Sequence, residues 1–192
     1  MNMSTPCKIF VANASHLDTV CKLYEAVCTH SGPVNYSGWV KDVYPNARVA
    51  KEGIHTRCLC VATVGQQLAG TFILNQRQPE AYRQVAWQYD LLRPYAMVIH
   101  TFAVHPAFAR QGIGRAMLQY AEQAAFQNDI QSIRLDVSMN NLPAIRLYES
   151  CGFLRRGTVD LGLHIQGLKW FHCYEKCNPV PPTQKQLRHP LG

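Results

Sequence analysis

The sequence has no long apolar segment without charges. No uncharged run approaches the length of about 18 residues that a membrane-spanning helix needs. The first residues, Met-Asn-Met-Ser-Thr-Pro-Cys-Lys, have no apolar core of an export signal. We therefore expect a cytoplasmic protein without a membrane partner. Charged residues are also few, at 16% against 47% hydrophobic ones, which excludes a largely disordered chain and fits one folded domain in 192 residues.

Cysteine spacing typical of disulfide frameworks is absent as well. The eight cysteines include no Cys-x-x-Cys pair, and a chain of this length does not need disulfides to be stable. We predict reduced thiols that lie mostly in the core, and no bound metal.

Basic residues are not clustered, although 19 Lys and Arg against 12 Asp and Glu give a net charge of +7. This surplus favours an anionic partner. Arg155 and Arg156 are the only adjacent pair, so the basic stripe typical of nucleic-acid binding is missing. We expect no nucleic-acid partner, and a basic nucleic-acid binder is kept as an alternative that salt-dependent retention on DNA or RNA would reveal.

Hydrophobic periodicity predicts seven strands and four helices. The first helix is expected to open at Ser15, with Asp18 completing a capping box, and Asn46 is expected to cap the second. The predicted strands cover about 8–12, 58–64, 67–75, 96–104, 132–138, 153–163 and 168–175, and the predicted helices about 15–28, 46–53, 112–126 and 141–151.

The order of these elements combines hairpins with one crossover helix between the fourth and fifth strands. It predicts an α/β (α+β mixed) fold with a central mixed, mostly antiparallel sheet flanked by helices. Residues 1–177 form the expected domain. The proline-rich tail, 178–192, has no periodicity and is expected to be extended. A homodimer in which the last strand and this tail pair with a second copy is left open.

The segment VHPAFARQGIGRAM, at 104–117, places two glycines between a strand and a helix. Gly112 and Gly114 allow the backbone to approach a ligand closely, and the first N–H groups of a helix favour an anion such as phosphate. Arg110 and Arg115 add positive charge on either side. A purely structural glycine turn is the alternative interpretation of this segment alone.

Two common phosphate-binding motifs are excluded here. A Walker loop requires Lys and then Ser or Thr after its last glycine, but Arg115 and Ala116 follow Gly114. The dinucleotide fingerprint requires a third glycine where Met117 stands.

A second motif lies further along, in LDVSMNNLPAIRLYESCGF at 135–153. Together, the two segments resemble the GNAT family of acetyl-CoA-dependent N-acyltransferases. The first is similar to its acyl-CoA-binding turn and the second to its N-x-x-A-x-x-x-Y-x-x-x-G-F signature. The element order is similar over residues 7–176, which implies the GNAT fold, with seven strands splayed between strands 4 and 5. One departure is Ala109, where the family usually has Gln or Arg; Arg110 stands one place later.

The resemblance implies acetyl-CoA as co-substrate. Its pyrophosphate would bind the backbone amides of the glycine turn, and its pantetheine arm would pair with the fourth strand near Asn141, which also caps its helix. The implied cofactor-binding residues are Phe102, Ala103, Val104, Arg110, Gln111, Gly112, Ile113, Gly114, Arg115 and Asn141.

Acyl transfer to an amine needs a group that accepts the ammonium proton and one that protonates the leaving thiolate. The resemblance implies Tyr148 as the general acid. Val98 occupies the strand position where relatives often carry Glu. His100 shares its face, and its ordinary pKa of about 6.5 suits a base. A buried, hydrogen-bonded histidine is the alternative interpretation, and Tyr89 or Asp90 could serve instead.

The acceptor is predicted only as a class, a primary amine of a small molecule or a peptide N-terminus attacked directly. Residues 30–46, 77–94 and the final hairpin are expected to determine it, and their aromatic side chains favour a partly apolar amine. These aromatics are Tyr36, Trp39, Trp87 and Tyr89. A non-catalytic acyl-CoA-binding sensor of the same fold is the alternative, because the carboxylate at position 98 is missing.

Overall fold

A computed structural model describes residues 6–30, 38–89, 95–165 and 168–179. The elements follow the predicted order. The strands are β1 (Cys7–Val11), β2 (Leu59–Val64), β3 (Gln67–Asn75), β4 (Ala96–Val104), β5 (Ser132–Ser138), β6 (Leu154–Ile165) and β7 (Leu168–Cys177). The α-helices are α1 (Leu17–Thr29), α2 (Ala47–His55), α3 (Ile113–Phe126) and α4 (Leu142–Ser150), with short 3-10 helices at Ala14–His16, Glu80–Gln84 and Pro106–Phe108.

The seven strands form one mixed sheet in the order β1-β2-β3-β4-β5-β7-β6. β4 and β5 are parallel, and α3 supplies the crossover that a parallel pair requires. The pairs β1–β2, β2–β3, β5–β7 and β6–β7 are antiparallel. The parallel register runs from Ala96↔Ser132 to Ile99↔Leu135, although both strands continue beyond it. The predicted mixed, mostly antiparallel sheet with helices is confirmed.

The chain divides into two compact units, which are described separately. The first contains the described residues of 6–30, 39–74 and 100–120. Its core lies between the two N-terminal helices and strands β2, β3 and β4. The buried members are Ala12, Val20, Leu23, Tyr24, Ala50, Leu59, Val61, Ile73 and Ala103. Trp39 packs against this core, in agreement with a core role for that aromatic.

Local capping chemistry explains where the first two helices begin. The Asn46 side chain accepts hydrogen bonds from the N–H groups of Arg48 and Val49, so the predicted cap of α2 is confirmed. The predicted capping box at Ser15 is wrong. Asn13 accepts a hydrogen bond from the N–H of Ser15 at 3.0 Å, and its capping box closes on His16. That box opens the 3-10 helix Ala14–His16, and α1 begins after it at Leu17 without a side-chain cap.

The second unit contains Gly38 and the described residues of 75–89, 95–99 and 121–179. A small apolar cluster forms around the 3-10 helix Glu80–Gln84; its buried members are Tyr82, Val85, Val98, Val159 and Cys173. Asn141 caps α4 by accepting a hydrogen bond from the N–H of Ala144 at 3.3 Å. Gly152, with φ of +84°, follows its end, as predicted.

A fully buried carboxylate, Glu175 on β7, organises the polar interior of this unit. Its Oε1 accepts hydrogen bonds from the Ser132 hydroxyl at 2.6 Å and Arg134 Nε at 3.4 Å. Its Oε2 accepts from the backbone N–H of Gln88 at 2.7 Å and from Arg156 Nε at 3.0 Å. The carboxylate is therefore paired with two guanidinium groups, as a buried charge requires.

The segment 78–89 is attached to the sheet mainly through Arg134. The guanidinium donates to Gln78 Oε1 at 2.7 Å and to the carbonyl oxygen of Tyr89 at 2.8 Å. It also lies 4.4 Å from the ring centroid of Trp87. The predicted irregular stretch 77–94 is thus fixed, where the structure describes it, by side chains of the sheet.

All eight cysteines are free thiols, as predicted, but a core location holds for only part of them. Only Cys60 and Cys173 are buried, and burial raises the pKa of each to about 12. The other six are partly exposed, and of these Cys21 on α1 and Cys58 just before β2 pack against the core of the first unit.

Among the described residues, no helix combines the length and the apolar character needed to cross a membrane. Several predictions lie on residues outside the described ranges. These are Tyr36, Asp90, the hairpin tip 166–167 and the tail from 180 onward.

Candidate active site

The glycine turn lies in the first unit, between β4 and α3. Arg110 and Gly112 both have left-handed backbone, with φ of +61° and +81°. α3 then begins at Ile113, and the N–H of Ala116 bonds to the carbonyl oxygen of Gly112 at 3.0 Å. The first N–H groups of an α-helix find no acceptor within the helix itself, which is why a helix N-terminus of this kind favours an anion. A Cβ added at Gly112 would meet no atom within 4 Å, so this corner of the turn is open.

Side chains of the turn separate into structural and exposed ones. The Gln111 amide donates to the carbonyl oxygen of Ala107 at 3.0 Å, and the ring of His105 accepts from the N–H of Ala107 at 3.2 Å. Both therefore brace the loop. Arg110 and Arg115 are exposed, whereas Ile113 and Gly114 are buried. The two arginines thus add accessible positive charge to a helix N-terminus, an arrangement suited to an anionic ligand.

The part of β4 that enters the first unit is irregular at Thr101. Its φ of +49° is unusual for a β-branched residue, and its hydroxyl is 2.8 Å from the Tyr44 hydroxyl. On either side of it, His100 and Phe102 are partly exposed. Further along, Ala103 is buried and Val104 is partly exposed, so the predicted pantetheine-binding segment follows this irregularity.

In the second unit, α4 carries the other predicted residues. Asn141 is partly exposed at the helix start, and Tyr148 is only 4% exposed one helix length later. The Tyr148 ring lies 6.2 Å from the ring of Phe153 and 6.3 Å from that of Tyr174, measured between centroids. Burial, and secondarily the negative charge of Asp136, raises the pKa of Tyr148 above its ordinary value. This phenol is therefore fully protonated at neutral pH.

Asp136, on β5, is a candidate that sequence reasoning missed. The Tyr82 hydroxyl donates a hydrogen bond to its Oδ2 at 2.8 Å. Burial raises the pKa of Asp136 to about 6, against the lowering effect of that hydrogen bond. The available signal was the pattern Arg134-Leu-Asp136 within a strand whose other residues are buried, because charged side chains in such a strand are paired or functional.

The residues weighed as bases lie in different surroundings. Val98, at the position of the missing carboxylate, is fully buried in the apolar cluster with Tyr82. His100 is partly exposed. The carbonyl of Tyr89 belongs to the Arg134 network. Within the second unit, the structure brings Asp136 near Tyr148, close enough for its charge to act on the phenol.

A cavity of about 360 Å³ opens in the first unit between α1 and the segment 41–47. Acidic and basic side chains alternate around it. Its charged lining residues are Asp18, Lys22, Glu25, Lys41 and Asp42. The cavity includes part of the stretch 30–46 that was expected to determine the acceptor.

Residues 23–153 match the family described as the acetyltransferase (GNAT) family. The chain belongs to this family, as its two motifs indicated.

Three curated relatives share local similarity with the chain. Streptothricin acetyltransferase of Escherichia coli is 35% identical over 100 residues, which are 52% of this chain and 48% of that protein. The ribosomal protein bS18-alanine N-acetyltransferase of Escherichia coli K12 is 38% identical over 55 residues, 29% of this chain and 37% of that protein. UPF0157 protein YqkA of Bacillus subtilis is 38% identical over 82 residues, which are 42% of this chain and 22% of that protein. The matches thus span less than half of each relative.

Solved structures share the fold over most of the chain. A GNAT acetyltransferase of Streptococcus agalactiae superposes with a TM-score of 0.71 and 19% identity, covering 92% of this chain and 98% of the other. The ribosomal-protein-S18-alanine N-acetyltransferase of Escherichia coli has a TM-score of 0.66 and 16% identity, covering 93% of this chain and 98% of the other. The acetyltransferase yncA of Salmonella typhimurium, solved with acetyl-CoA, has a TM-score of 0.65 and 15% identity, covering 92% of this chain and 98% of the other. At these identities the likeness shows the fold.

Proposed function

We propose that the protein transfers the acetyl group of acetyl-CoA to a primary amine of a small molecule or a peptide N-terminus, by direct attack of the amine on the thioester. The observation that carries this proposal is the open glycine turn at the start of α3, with exposed Arg110 and Arg115 beside it. A diphosphate fits such a turn because backbone amides, the helix dipole and both guanidinium groups all favour negative charge.

The remainder of the cofactor would follow β4. A pantetheine arm carries its own amide groups, so it can pair with exposed strand backbone in the manner of an added strand. Phe102 to Val104 supply that backbone, and Asn141 at the start of α4 is the proposed side-chain contact. The acetyl-CoA bound in the Salmonella relative supports the same class of ligand here.

The acceptor class follows from the relatives and from charge. One relative is named for the alanine of a ribosomal protein and another for streptothricin, so family members are named for both peptide and small-molecule substrates. An acceptor enters as an ammonium, which has no free electron pair, and must lose a proton before it attacks. A carboxylate near the reacting atoms serves both the binding of the ammonium and its deprotonation.

Asp136 is the better-supported proton acceptor, and His100 remains the prediction from sequence. The Asp136 carboxylate, with a pKa of about 6, is mostly ionised at neutral pH, yet is a stronger base than an ordinary aspartate. Asp136 as a residue keeps some exposure to solvent, although its carboxylate is desolvated, whereas Tyr82 and Tyr148 are buried. The ammonium gives its proton to the carboxylate, and the nitrogen lone pair then forms the new C–N bond.

Tyr148 is the proposed donor to the departing sulfur. In water a phenol, with a pKa of about 10, is a weaker acid than a thiol at about 8.5, so the proton must move as the C–S bond breaks. Protonation of Asp136 assists this step, because it removes the negative charge that raises the pKa of Tyr148. The nitrogen, which becomes cationic when the C–N bond forms, gives its second proton to the Tyr148 phenolate and so restores the phenol, while Asp136 releases its proton to water. The products are the acetylated amine and the free thiol of CoA.

The test uses the full chain with acetyl-CoA and a panel of primary amines and short peptides. Products are detected by mass spectrometry, because the eight free cysteines would react with thiol reagents. We expect acetylation of at least one amine class, and a loss of about 100-fold or more in kcat for Tyr148→Phe with unchanged acetyl-CoA affinity. Tyr24→Phe, which removes a buried hydroxyl in the first unit, is the matched control and should keep full activity.

Two outcomes would contradict this proposal. If calorimetry at millimolar ligand shows no acetyl-CoA binding, both the proposed acetyl transfer and acetyl-CoA as its co-substrate are contradicted. Tight binding without acetylation of any amine would favour the alternative, a non-catalytic acyl-CoA-binding module of the same fold.

A further inference from the structure

Tyr82 is a buried tyrosine that the proposed reaction does not yet use. It lies on the 3-10 helix Glu80–Gln84 and is 2% exposed. Its ring packs 4.9 Å from the Trp87 ring, centroid to centroid, and its carbonyl oxygen accepts the indole N–H of Trp87 at 2.9 Å. These contacts fix the ring, so the direction of its hydroxyl toward Asp136 is fixed too.

The hydroxyl of Tyr82 is hydrogen-bonded to one of the two oxygens of the Asp136 carboxylate. It donates to Oδ2 at 2.8 Å. In the part of the chain that the structure describes, no other hydrogen bond reaches this carboxylate. Oδ1 is therefore the oxygen left for a ligand.

Other titratable groups surround the same carboxylate. Tyr148 approaches from α4, and Cys173 is its register partner on β7. Arg134 lies two residues earlier on β5, but its guanidinium is engaged with Glu175, Gln78 and the Tyr89 carbonyl. Tyr148 and Cys173 ionise only to anions, and the raised pKa of each keeps it uncharged at neutral pH, so neither neutralises nor repels the charge of Asp136 there.

We infer that Tyr82 is a positioning residue for acyl transfer: its hydroxyl holds Oδ2 of Asp136 so that Oδ1 faces the ammonium of the acceptor and takes its proton. This inference rests on the proposed function. Burial raises the pKa of Tyr82 well above its ordinary value, so the hydroxyl stays protonated at neutral pH and can donate to the carboxylate. A donor to the ionised carboxylate also stabilises the basic form that the reaction needs.

Removal of the hydroxyl should therefore shift the pH dependence of the reaction. In Tyr82→Phe, we expect the acidic limb of kcat/KM to move upward by about one pH unit, because the carboxylate loses the hydrogen bond that lowers its pKa. With a pKa that rises from about 6 to about 7, the variant should lose about fivefold in rate at pH 6 and little at pH 8. A merely structural role would lower the rate by the same factor at every pH.

Asp136 can also be observed without any reaction. In protein labelled with ¹³C at the aspartate carboxyl, the Asp136 signal, assigned with Asp136→Asn, should titrate about one pH unit higher in Tyr82→Phe than in wild type. Tyr24→Phe should leave this titration unchanged. In the Asp136→Asn background, Tyr82→Phe should no longer alter the pH profile, since the coupled partner is missing.

The outcomes separate this inference from the proposed function. An Asp136 titration unaffected by Tyr82→Phe would overturn the positioning role, whether or not the enzyme is active. A shifted titration with an unshifted kinetic limb would overturn it as well, because Asp136 would not be the proton acceptor. If no amine is acetylated by wild type, the proposed function fails, and the carboxyl titration then shows only a structural pair.

Discussion

The proposed cofactor site can be tested by making the same substitution at two glycines, Gly112 in the glycine turn and Gly65 in a hairpin. Their φ values are +81° and +60°, and a Cβ added at either would meet no atom within 4 Å. Replacement of either by alanine should lower the free energy of unfolding by about 1 kcal/mol, because a left-handed backbone is unfavourable for alanine. Gly112→Ala should also weaken acetyl-CoA binding about tenfold or more, since its methyl group enters the space of the diphosphate. Calorimetry and urea unfolding measure the two effects.

Gly65→Ala is the control, because Gly65 lies in the hairpin between β2 and β3, where no ligand is proposed. Its acetyl-CoA affinity should equal that of wild type. Equal affinities for all three proteins would remove the glycine turn from the binding site.

The residues of the turn could be predicted from sequence, whereas Asp136 could not. Gly112 and its neighbours form a contiguous motif whose chemistry depends on local backbone. The importance of Asp136 depends on Tyr82, 54 positions away along the chain, and on burial that only the folded strand creates. Val98 marked a missing carboxylate on β4, and the one signal for Asp136, its place beside Arg134 in a buried strand, does not distinguish a functional carboxylate from a paired one.

Whether an element boundary could be predicted also depended on whether its cause is local in the sequence or distant. Asn46 and Asn141 were found as caps because a cap acts on backbone two or three residues away. The start of α1 was missed because Asn13 and Ser15 are both capable caps within one turn, and the Asn13 side chain bonds to Ser15 itself. The segment 77–89 was recognised as irregular, but its attachment through Glu175 bridges 87 positions of sequence.

The attachment of segment 78–89 predicts a large penalty when Glu175 loses its charge. Glu175→Gln keeps the size of the side chain and leaves Arg134 and Arg156 without their buried counter-charge. We expect a loss of about 3–5 kcal/mol in the free energy of unfolding. Hydrogen exchange should accelerate at Gln88 and Tyr89, whose backbone N–H and carbonyl groups bond to the network. Urea unfolding and exchange mass spectrometry measure these changes.

An exposed ion pair on the same segment provides the control. Arg83 and Glu80 form a pair with side chains that are each 81% exposed. Arg83→Gln should change the free energy of unfolding by at most about 0.5 kcal/mol, because water screens such pairs. A penalty for Glu175→Gln as small as that for Arg83→Gln would show that the network is not what holds the segment.

The net charge of +7 is divided between buried and accessible groups. Arg134 and Arg156 are paired with Glu175 in the interior or close to it, so they attract no ligand. Arg156 also belongs to the one adjacent basic pair in the sequence. Arg110 and Arg115 are exposed beside the glycine turn. The total charge only favours an anionic ligand class, whereas the structure separates the arginines that are paired in the interior from those that are exposed at the glycine turn.

The dependence of overall stability on pH should carry the signature of Asp136. Its pKa rises from an ordinary 3.8 to about 6 on folding, so the folded state binds more protons than the unfolded state between these values. The contribution of Asp136 to the free energy of unfolding therefore decreases as pH rises through this interval and is constant above it. Asp136→Asn lacks this penalty, so it should match wild type below pH 4 and be more stable by about 1–3 kcal/mol at pH 7, while losing activity. Urea unfolding at pH 4, 5.5 and 7 measures this difference. A difference between Asp136→Asn and wild type that is the same at pH 4 and pH 7 would show that Asp136 is not held in a destabilised, basic form, and would remove the main support for its role as proton acceptor.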